Sequence, residues 1–500
     1  MNLSELSPEQ QNVFYKFVKG DNIFITGPGG TGKTKLIQYL YSYCIQHNKK
    51  VQICALTGCA SILLQCNART IHSWSGIRLA KGDISTIITS VLRNQKAVRS
   101  WKTTNILICD EVSMMSTKML EILDELAKLT RKNNKPFGGI QVIFSGDFYQ
   151  LPPIGTIGEP STELFCFEST KWNQIFPISN HIELTTMFRQ TDPVYIEILL
   201  QIREGRLSEE YKRVLQNYVK REYIPEEHNN CTPTKLFAVR AKSDYVNKMM
   251  FSKLETTEYT FDFIQQTDCN MYLDNNKTIP FDIFEKCQKL TSVEINYEID
   301  QLINNTNCAR LLSLKIGSVV MCTANIDMDL GICNGSQGIV INIVKNGTDP
   351  EMPVVKFSNG IIRQMQPHFI QSEEYPTIIV GQYPLCLAWA MTIHKIQGAT
   401  LSLAEMDVGH SIFEYGQTYV ALSRIQSLDG LYLSAFHPQK IKANPKVIQF
   451  YNHFREQRKN EEIENNIQLI TEVPIETNTK KIYANIFTRC NVEYTVSKKY

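Results

Sequence analysis

At 500 residues the chain is longer than a single hydrophobic core usually serves, and 43% hydrophobic with 20% charged residues is ordinary for a soluble globular protein, so two to four domains are expected. A net charge of +2 excludes a polybasic surface, and any grip on nucleic acid must come from a local groove. The 14 cysteines are scattered without a C-x-x-C pair, which speaks for reduced thiols and against both a disulfide scaffold and a zinc site.

Met1 to Gln10 has no basic or apolar region and carries Glu5 and Glu9, so neither secretory nor mitochondrial targeting is expected. From Asn22 the pattern predicts a strand (Ile23 to Thr26), a glycine-rich turn and a helix (Lys33 to Ile45), then a buried strand, Val51 to Leu56. Apolar runs at Asn105 to Cys109 and Ile140 to Phe144, with a helix at Ser116 to Arg131 between them, complete the alternation expected of a parallel sheet covered by helices. Residues 1 to about 183 thus read as one α/β domain. Beyond Pro193 a second is predicted from strands at Lys235 to Val239, Leu385 to Ala390 and Leu431 to Ala435, with helices at Tyr195 to Glu204 and Gln417 to Ser423. It is divided into 184–314 and 384–455 by 315–383, where short alternating runs are punctuated by Asn334-Gly335, Asn346-Gly347 and Asn359-Gly360. Asn-Gly pairs mark hairpins, so a small β-barrel insert is expected. No role is assigned to the Asn-rich stretch Asp262 to Thr306 or to a charged tail, 456–500. No apolar run approaches the roughly 20 residues that span a bilayer.

Gly27 to Thr34, GPGGTGKT, fits G-x-x-x-x-G-K-[ST] between a strand and a helix. Its glycines let backbone N–H groups surround a phosphate at a helix N-terminus, with Lys33 reaching the β and γ phosphates of ATP and Thr34 ligating Mg²⁺. Asp110-Glu111 ends a strand at the same crevice: Asp110 would hold Mg²⁺, and Glu111 would take a proton from the attacking water. Gln150, at the end of the next strand, could report the γ-phosphate. Thr70-Ile71-His72 and Thr392-Ile393-His394 echo each other, one per domain. Their hydroxyls and imidazoles, with Lys395, suit contacts to successive stretches of a single-strand backbone. Trp74, Phe148, Tyr149 and Trp389 could stack on bases or simply pack in the cores.

These residues together resemble the superfamily-one helicases of the petite-integration-frequency type, relatives of RecD. The likeness rests on Leu6 to Gln10, the phosphate loop, Asp110-Glu111, Lys135 to Gly139, Gly146 to Pro153, Phe188-Arg189-Gln190, Leu387 to Lys395 and Tyr419 to Arg424. It departs at Ile396, where the family usually has a small serine, and at Pro28-Gly29. The resemblance implies two RecA-like P-loop domains in tandem with the β-barrel in the second and a short wedge near 75–89 in the first. It implies Lys33, Glu111, Gln150, Arg189 and Arg424 as catalytic residues. Gln10, Gly27, Gly29, Gly30, Thr31, Gly32, Lys33, Thr34 and Gly398 would bind ATP, with Gln10 on the adenine edge, and Thr34 and Asp110 would hold the metal. Thr57, Thr70, His72, Thr392, His394 and Lys395 would bind DNA. The activity it implies is ATP-dependent DNA unwinding with 5′ to 3′ movement, in replication, recombination or repair. The expected partners are single-stranded and forked DNA and other replication or repair proteins. The expected protein acts as a monomer, binds no membrane, and is intracellular, in a nucleus or cytoplasm, a virus's host cell included.

Two other classes fit part of the pattern. An ATP-switched binding or remodelling protein would grip nucleic acid without processive unwinding, and Glu111, Gln150 and Arg424 argue for hydrolysis beyond binding. A P-loop kinase would need one nucleotide domain with a lid, and leaves the motifs at 385–424 unexplained.

Overall fold

The computed structural model describes residues 3–471 apart from 65, 79, 81, 225–231, 268–280, 306–308, 328–329, 346–350 and 373–374. The chain divides into two compact units, Met1–Ile448 and a second from Gln449 onward. The tail expected from 456 lies inside the helix Pro445–Thr471 as far as Thr471, and from 472 it falls outside the described residues.

Among the described residues, six strands form a parallel sheet: β1 (Ile23–Thr26), β2 (Val51–Ala55), β3 (Arg69–Thr70), β4 (Ile106–Asp110), β5 (Gln141–Ser145) and β6 (His181–Glu183). Their order is β3-β2-β4-β5-β1-β6. Every residue of β1 and β4 is buried, as a sheet covered on both faces requires. The helix Pro8–Lys19 opens on a capping box in which the Ser7 hydroxyl accepts from the Gln10 N–H and the Gln10 side chain accepts from the Ser7 N–H. Its Val13 and Phe17 join Leu36, Ile37 and Leu40 of the helix Lys33–Gln46 on one face of the sheet. Between β4 and β5, Arg131 ends the helix Thr117–Arg131 by donating to the carbonyls of Trp101, Thr104 and Gly138.

β7 (Thr234–Phe237) begins a second sheet that is completed only after an antiparallel insertion. The inserted strands are β8 (Glu258–Asp262), β9 (Ile264–Gln266), β10 (Leu311–Lys315), β11 (Val319–Cys322), β12 (Gln337–Val344), β13 (Met352–Phe357), β14 (Ile362–Gln364), β15 (His368–Gln371), β16 (Ile379–Gln382) and β17 (Leu385–Leu387). They pair as β14-β13-β12-β11-β17, β15-β16-β9 and β10-β8. Gly360 (φ +85°) makes the turn from β13 to β14, and the Asn334-Gly335 pair lies between β11 and β12, while Asn346-Gly347 is outside the described residues. β18 (Ala390–Thr392), β19 (Ala404–Val408) and β20 (Leu431–Phe436) then join β7 in the parallel order β18-β7-β19-β20. Its core gathers Tyr195, Ile198, Leu236, Met391, Ile393, Leu401, Met406, Val420 and Leu433.

The run Leu385 to Ala390, expected as one strand, is two. Leu385–Leu387 pairs antiparallel with β11, and the chain crosses into the second parallel sheet at Ala390. The unassigned stretch near 262–306 contributes β9 and the helices Phe281–Gln288 and Ser292–Asn305. Trp74, Phe148, Tyr149 and Trp389 are 2%, 1%, 4% and 7% exposed, so all four pack in cores and offer no open ring face to a base. Trp74 lies 4.4 Å from fully buried Trp101, whose indole N–H donates to the Ser75 carbonyl. Trp101→Ala is expected to lower unfolding free energy by about 3–5 kcal/mol, measured from the urea midpoint at unchanged m-value.

Candidate nucleotide-binding site

The phosphate loop leaves the C-terminal end of β1, between β5 and the edge strand β6 of the first sheet, and runs into the helix Lys33–Gln46. Gly27 sits at φ +136°, and a Cβ there would stand 2.3 Å from the Leu184 carbonyl oxygen, so only glycine lets the loop pass the segment after β6. Lys33 folds back over the loop, its Nζ donating to the carbonyls of Gly27 and Pro28 at 2.7 and 2.9 Å. Thr31 donates its hydroxyl to the Pro28 carbonyl, and Thr34 is exposed on the first helical turn. Gln10 lies beside the loop with its amide donating to the Thr31 carbonyl at 3.4 Å. Its oxygen is taken by the Ser7 N–H, so the side chain expected on adenine is oriented by the helix cap. A Cβ on Gly32 would meet both this amide and the Phe188 ring.

Two carboxylates stand at the end of β4, Asp110 as its last residue and Glu111 just after it. Asp110 is buried, and burial together with neighbouring Glu111 raises its pKa above the usual carboxylate range, against the Ser145 hydroxyl and Lys33, which lower it. Glu111 takes a left-handed conformation, φ +58°, that turns the chain out of the strand. Burial pulls the Lys33 ammonium down in turn, although Asp147, Glu111 and Asp110 all favour its charge. The oxygen donors Thr34 and Asp110 suit Mg²⁺, which keeps most of its shell for water and phosphate. No cluster of three or more His, Cys, Asp or Glu able to hold a metal occurs among the described residues, and a phosphate-bridged Mg²⁺ needs none.

The second parallel sheet closes over this loop with cations and amides. The Tyr419 hydroxyl accepts from the Gly29 N–H at 2.8 Å. Arg189 donates to the Ser423 carbonyl at 3.0 Å, and Gln190 to those of Ser423 and Ile425. Arg424, 2% exposed, is steered by the Val420 carbonyl and the Ser423 hydroxyl. A Cβ on Gly29 would lie 3.4 Å from Arg424 Nη2 and 3.7 Å from Arg189 Nη1, so both guanidinium groups line the loop. Burial, then the charge of Arg424, pulls Arg189 down to about 9. Gln397 donates to Glu111 Oε2 at 3.0 Å and to Gln150 Oε1 at 3.4 Å, joining both residues to the second sheet. Gly398 faces Leu63 of the helix Gly58–Leu64. At Gly416 (φ +73°) a Cβ would stand 2.5 Å from the Tyr149 carbonyl, and glycine permits that approach.

The residues expected on nucleic acid lie at strand ends of both parallel sheets. Thr57 follows β2, Thr70 ends β3 and Thr392 ends β18. Each hydroxyl accepts the N–H three residues on, from Ala60, Ser73 and Lys395, at 3.2, 3.2 and 3.3 Å. Ile71 and Ile393 are both 0% exposed, while His394 and Lys395 are exposed and His72 is half-buried, so the sequence echo is also an echo of backbone and burial. Burial lowers the pKa of both imidazoles, with Glu414 opposing it at His394.

A phosphate loop and a strand-end acidic pair on one parallel sheet, met by Arg424 from the core of a second and by Arg189 from the segment between them, define a P-loop nucleotide hydrolase of tandem RecA-like design. A family model described as PIF1-like helicase matches residues 5–213, and one for the DNA helicase Pif1 2B domain matches residues 300–343. The ATP-dependent DNA helicase PIF1 of Homo sapiens is 31% identical over 457 residues, covering 91% of this chain and 64% of that protein. The crystal structure of Pif1 helicase from Candida albicans is 33% identical, with a TM-score of 0.69 over 90% of this chain and 99% of that one. Bacteroides Pif1 bound to ssDNA is 26% identical, with a TM-score of 0.58 over 91% and 98%. The chain belongs to the PIF1-like helicase family. It spans 61% and 64% of the length of the PIF1 relatives of Emericella nidulans and Homo sapiens, and 97% of that of protein 030L of Invertebrate iridescent virus 6, which is 29% identical.

Gln397, Tyr419, Gln190 and Asp147 at this site carry no signal of their own in the sequence, although each lies in or beside a recognisable motif. Gln397→Ala is expected to cut kcat for ATP about 10- to 100-fold with KM changed far less, matching a lost hydrogen bond to a charged group of about 1.5–3 kcal/mol, as steady-state ATPase kinetics would show.

Proposed function

We propose that this protein is an ATP-dependent DNA helicase that translocates on single-stranded DNA and unwinds duplex DNA. The observation that carries the reading is the meeting of Arg424 from the second core, and of Arg189 from the segment that joins the cores, with the phosphate loop of the first, where a Cβ on Gly29 would lie 3.4 Å and 3.7 Å from them. Hydrolysis is then complete only when the two cores are together, which is what a motor requires and a lidded kinase does not.

Lys33 turns from the loop carbonyls to the β and γ phosphates, and Gln10 offers its amide to the adenine edge beside Phe188. Glu111 takes the proton of the attacking water, Gln150 orients that water, and Arg189 and Arg424 balance the charge on the transferring phosphoryl group. Thr34 and Asp110 would hold Mg²⁺, which supplies positive charge to the phosphate oxygens. Thr57, Thr70 and His72 on one sheet, with Thr392, His394 and Lys395 on the other, hold the DNA backbone. A threonine hydroxyl that accepts a backbone N–H keeps its own proton to donate to a phosphate. The lowered pKa values of the two histidines favour neutral N–H donors, which position a strand without reading its sequence.

This reading takes 1–183 as the first RecA-like domain, with the wedge near 75–89, and 184–314 with 384–455 as the second. The strands within 315–383 form the barrel. Single-stranded and forked DNA are the partners, with other replication or repair proteins, and the motor acts as a monomer moving 5′ to 3′. Among the described residues no helix is long and apolar enough to cross a membrane.

ATPase activity with and without single-stranded DNA, beside unwinding of forks carrying a 5′ or a 3′ tail, tests the proposal. DNA-stimulated turnover and unwinding from the 5′ tail alone are expected. Lys33→Ala should abolish turnover and unwinding while DNA binding stays measurable; unchanged ATPase in that variant would refute the assignment.

A further inference from the structure

Asp147 and Arg203 form a buried ion pair that none of the proposed catalytic steps uses. Asp147 is 0% exposed and Arg203 is 3% exposed. The guanidinium grips the carboxylate in a fork, Nη2 to Oδ1 at 2.9 Å and Nε to Oδ2 at 3.0 Å, while Nη1 reaches Glu183 at 3.3 Å. Its Cζ lies 4.7 Å from the centroid of the Tyr149 ring. Asp147 belongs to the turn after β5 and shapes it, since its carbonyl accepts the Gln150 N–H at 2.9 Å and its carboxylate the Tyr149 N–H at 3.3 Å.

Arg203 belongs to the other side. It ends the helix Pro193–Arg203, whose Tyr195, Ile198, Leu199 and Ile202 pack in the second core. Near the start of the same helix the Tyr195 hydroxyl donates to the Leu422 carbonyl at 2.7 Å, two residues before Arg424. One three-turn helix therefore holds the arginine segment near its first turn and the Gln150 turn at its last.

We propose that Arg203 is a positioning residue that couples the Asp147–Gln150 turn to the second core, so that ATP turnover answers to that core's engagement of DNA. A forked arginine suits the task, because its two parallel bonds fix the angle of the turn as well as its distance, which a lysine point charge does not. The proposal rests on the helicase reading. An ordinary structural ion pair and a coupling contact part company when both charges are removed together: a buried pair can often be replaced by neutral groups at little cost in stability, whereas a coupling contact cannot be replaced without losing the coupling.

The test uses the full chain with Arg203→Gln, Arg203→Lys and the double variant Asp147→Asn/Arg203→Gln. Melting temperature, KM for ATP, and the ratio of kcat with and without a dT oligonucleotide are measured. The single glutamine variant leaves a buried carboxylate unpaired and melts lower or fails to fold; the double variant recovers most of the melting temperature. In the double variant KM for ATP is expected within about threefold of wild type, while the ratio of DNA-stimulated to basal kcat falls at least tenfold. Arg203→Lys should fall between the two. A double variant whose ratio stays within twofold of wild type would overturn the proposal. Wild-type turnover that ignores DNA would overturn the helicase reading and the proposal with it, and the wild-type arm alone identifies that result.

Discussion

The site depends on keeping several cations close together and poorly solvated around one loop. Lys33, Arg189 and Arg424 converge there, and burial lowers the pKa of each. Backbone carbonyls hold them in the meantime, those of Gly27 and Pro28 for Lys33, Ser423 for Arg189 and Val420 for Arg424. Carbonyl dipoles satisfy the donors without cancelling the charge, so the cluster remains poised for a polyanion. A carboxylate in direct contact would compete with phosphate for the same donors. The two core surfaces are thus complementary to a triphosphate more than to each other, and binding energy arises where the phosphates complete the charge balance.

Bridging contacts between the two cores follow the same economy of apolar area. Gly29 to Tyr419, Arg189 to Ser423 and Gln397 to Glu111 are single polar contacts, each replaceable by water or phosphate. Beside them stand the buried Asp147–Arg203 fork and Leu151, which follows β5 and packs in the second core, so the seam also holds charge and apolar surface out of water. Gly416 shows how close the approach is, since any side chain there would strike the Tyr149 carbonyl.

The local chemistry of the site was legible. Strand, glycine turn and helix stand within a few residues of each other around Gly27 to Thr34, as strand and acidic pair do at the end of β4, and both depend on backbone rules that operate at that range. Asn359-Gly360 was legible for the same reason. The split of Leu385 to Ala390 was not, because both halves are apolar and only their partners differ, β11 for one and β7 for the other. Nor could the contacts between cores be read: Gln397 and Glu111 are 286 residues apart, and Arg203 and Asp147 are 56 apart. Spacing carries no information about such pairs, and a lone arginine late in a helix looks like any solvated charge. The aromatics stayed open in the sequence, since ring chemistry suits base stacking and core packing equally until burial decides.

The paired threonines carry the comparison between the two sheets furthest. Thr70 and Thr392 end parallel strands, accept the N–H three residues later and precede a fully buried isoleucine. The buried isoleucine anchors the turn, and the threonine cap holds its first peptide, so the histidine one residue later has a fixed direction with little of its own surface committed. Under the proposed function, a turn built this way would meet a phosphate without reorganising, and the two copies on separate sheets would meet successive phosphates. Because burial disfavours the charged imidazoles, their contribution is directional hydrogen bonding more than Coulomb attraction. Under that proposal, a chain of net charge +2 would hold a polyanion at a few oriented donors and still release it, the property a stepping motor needs.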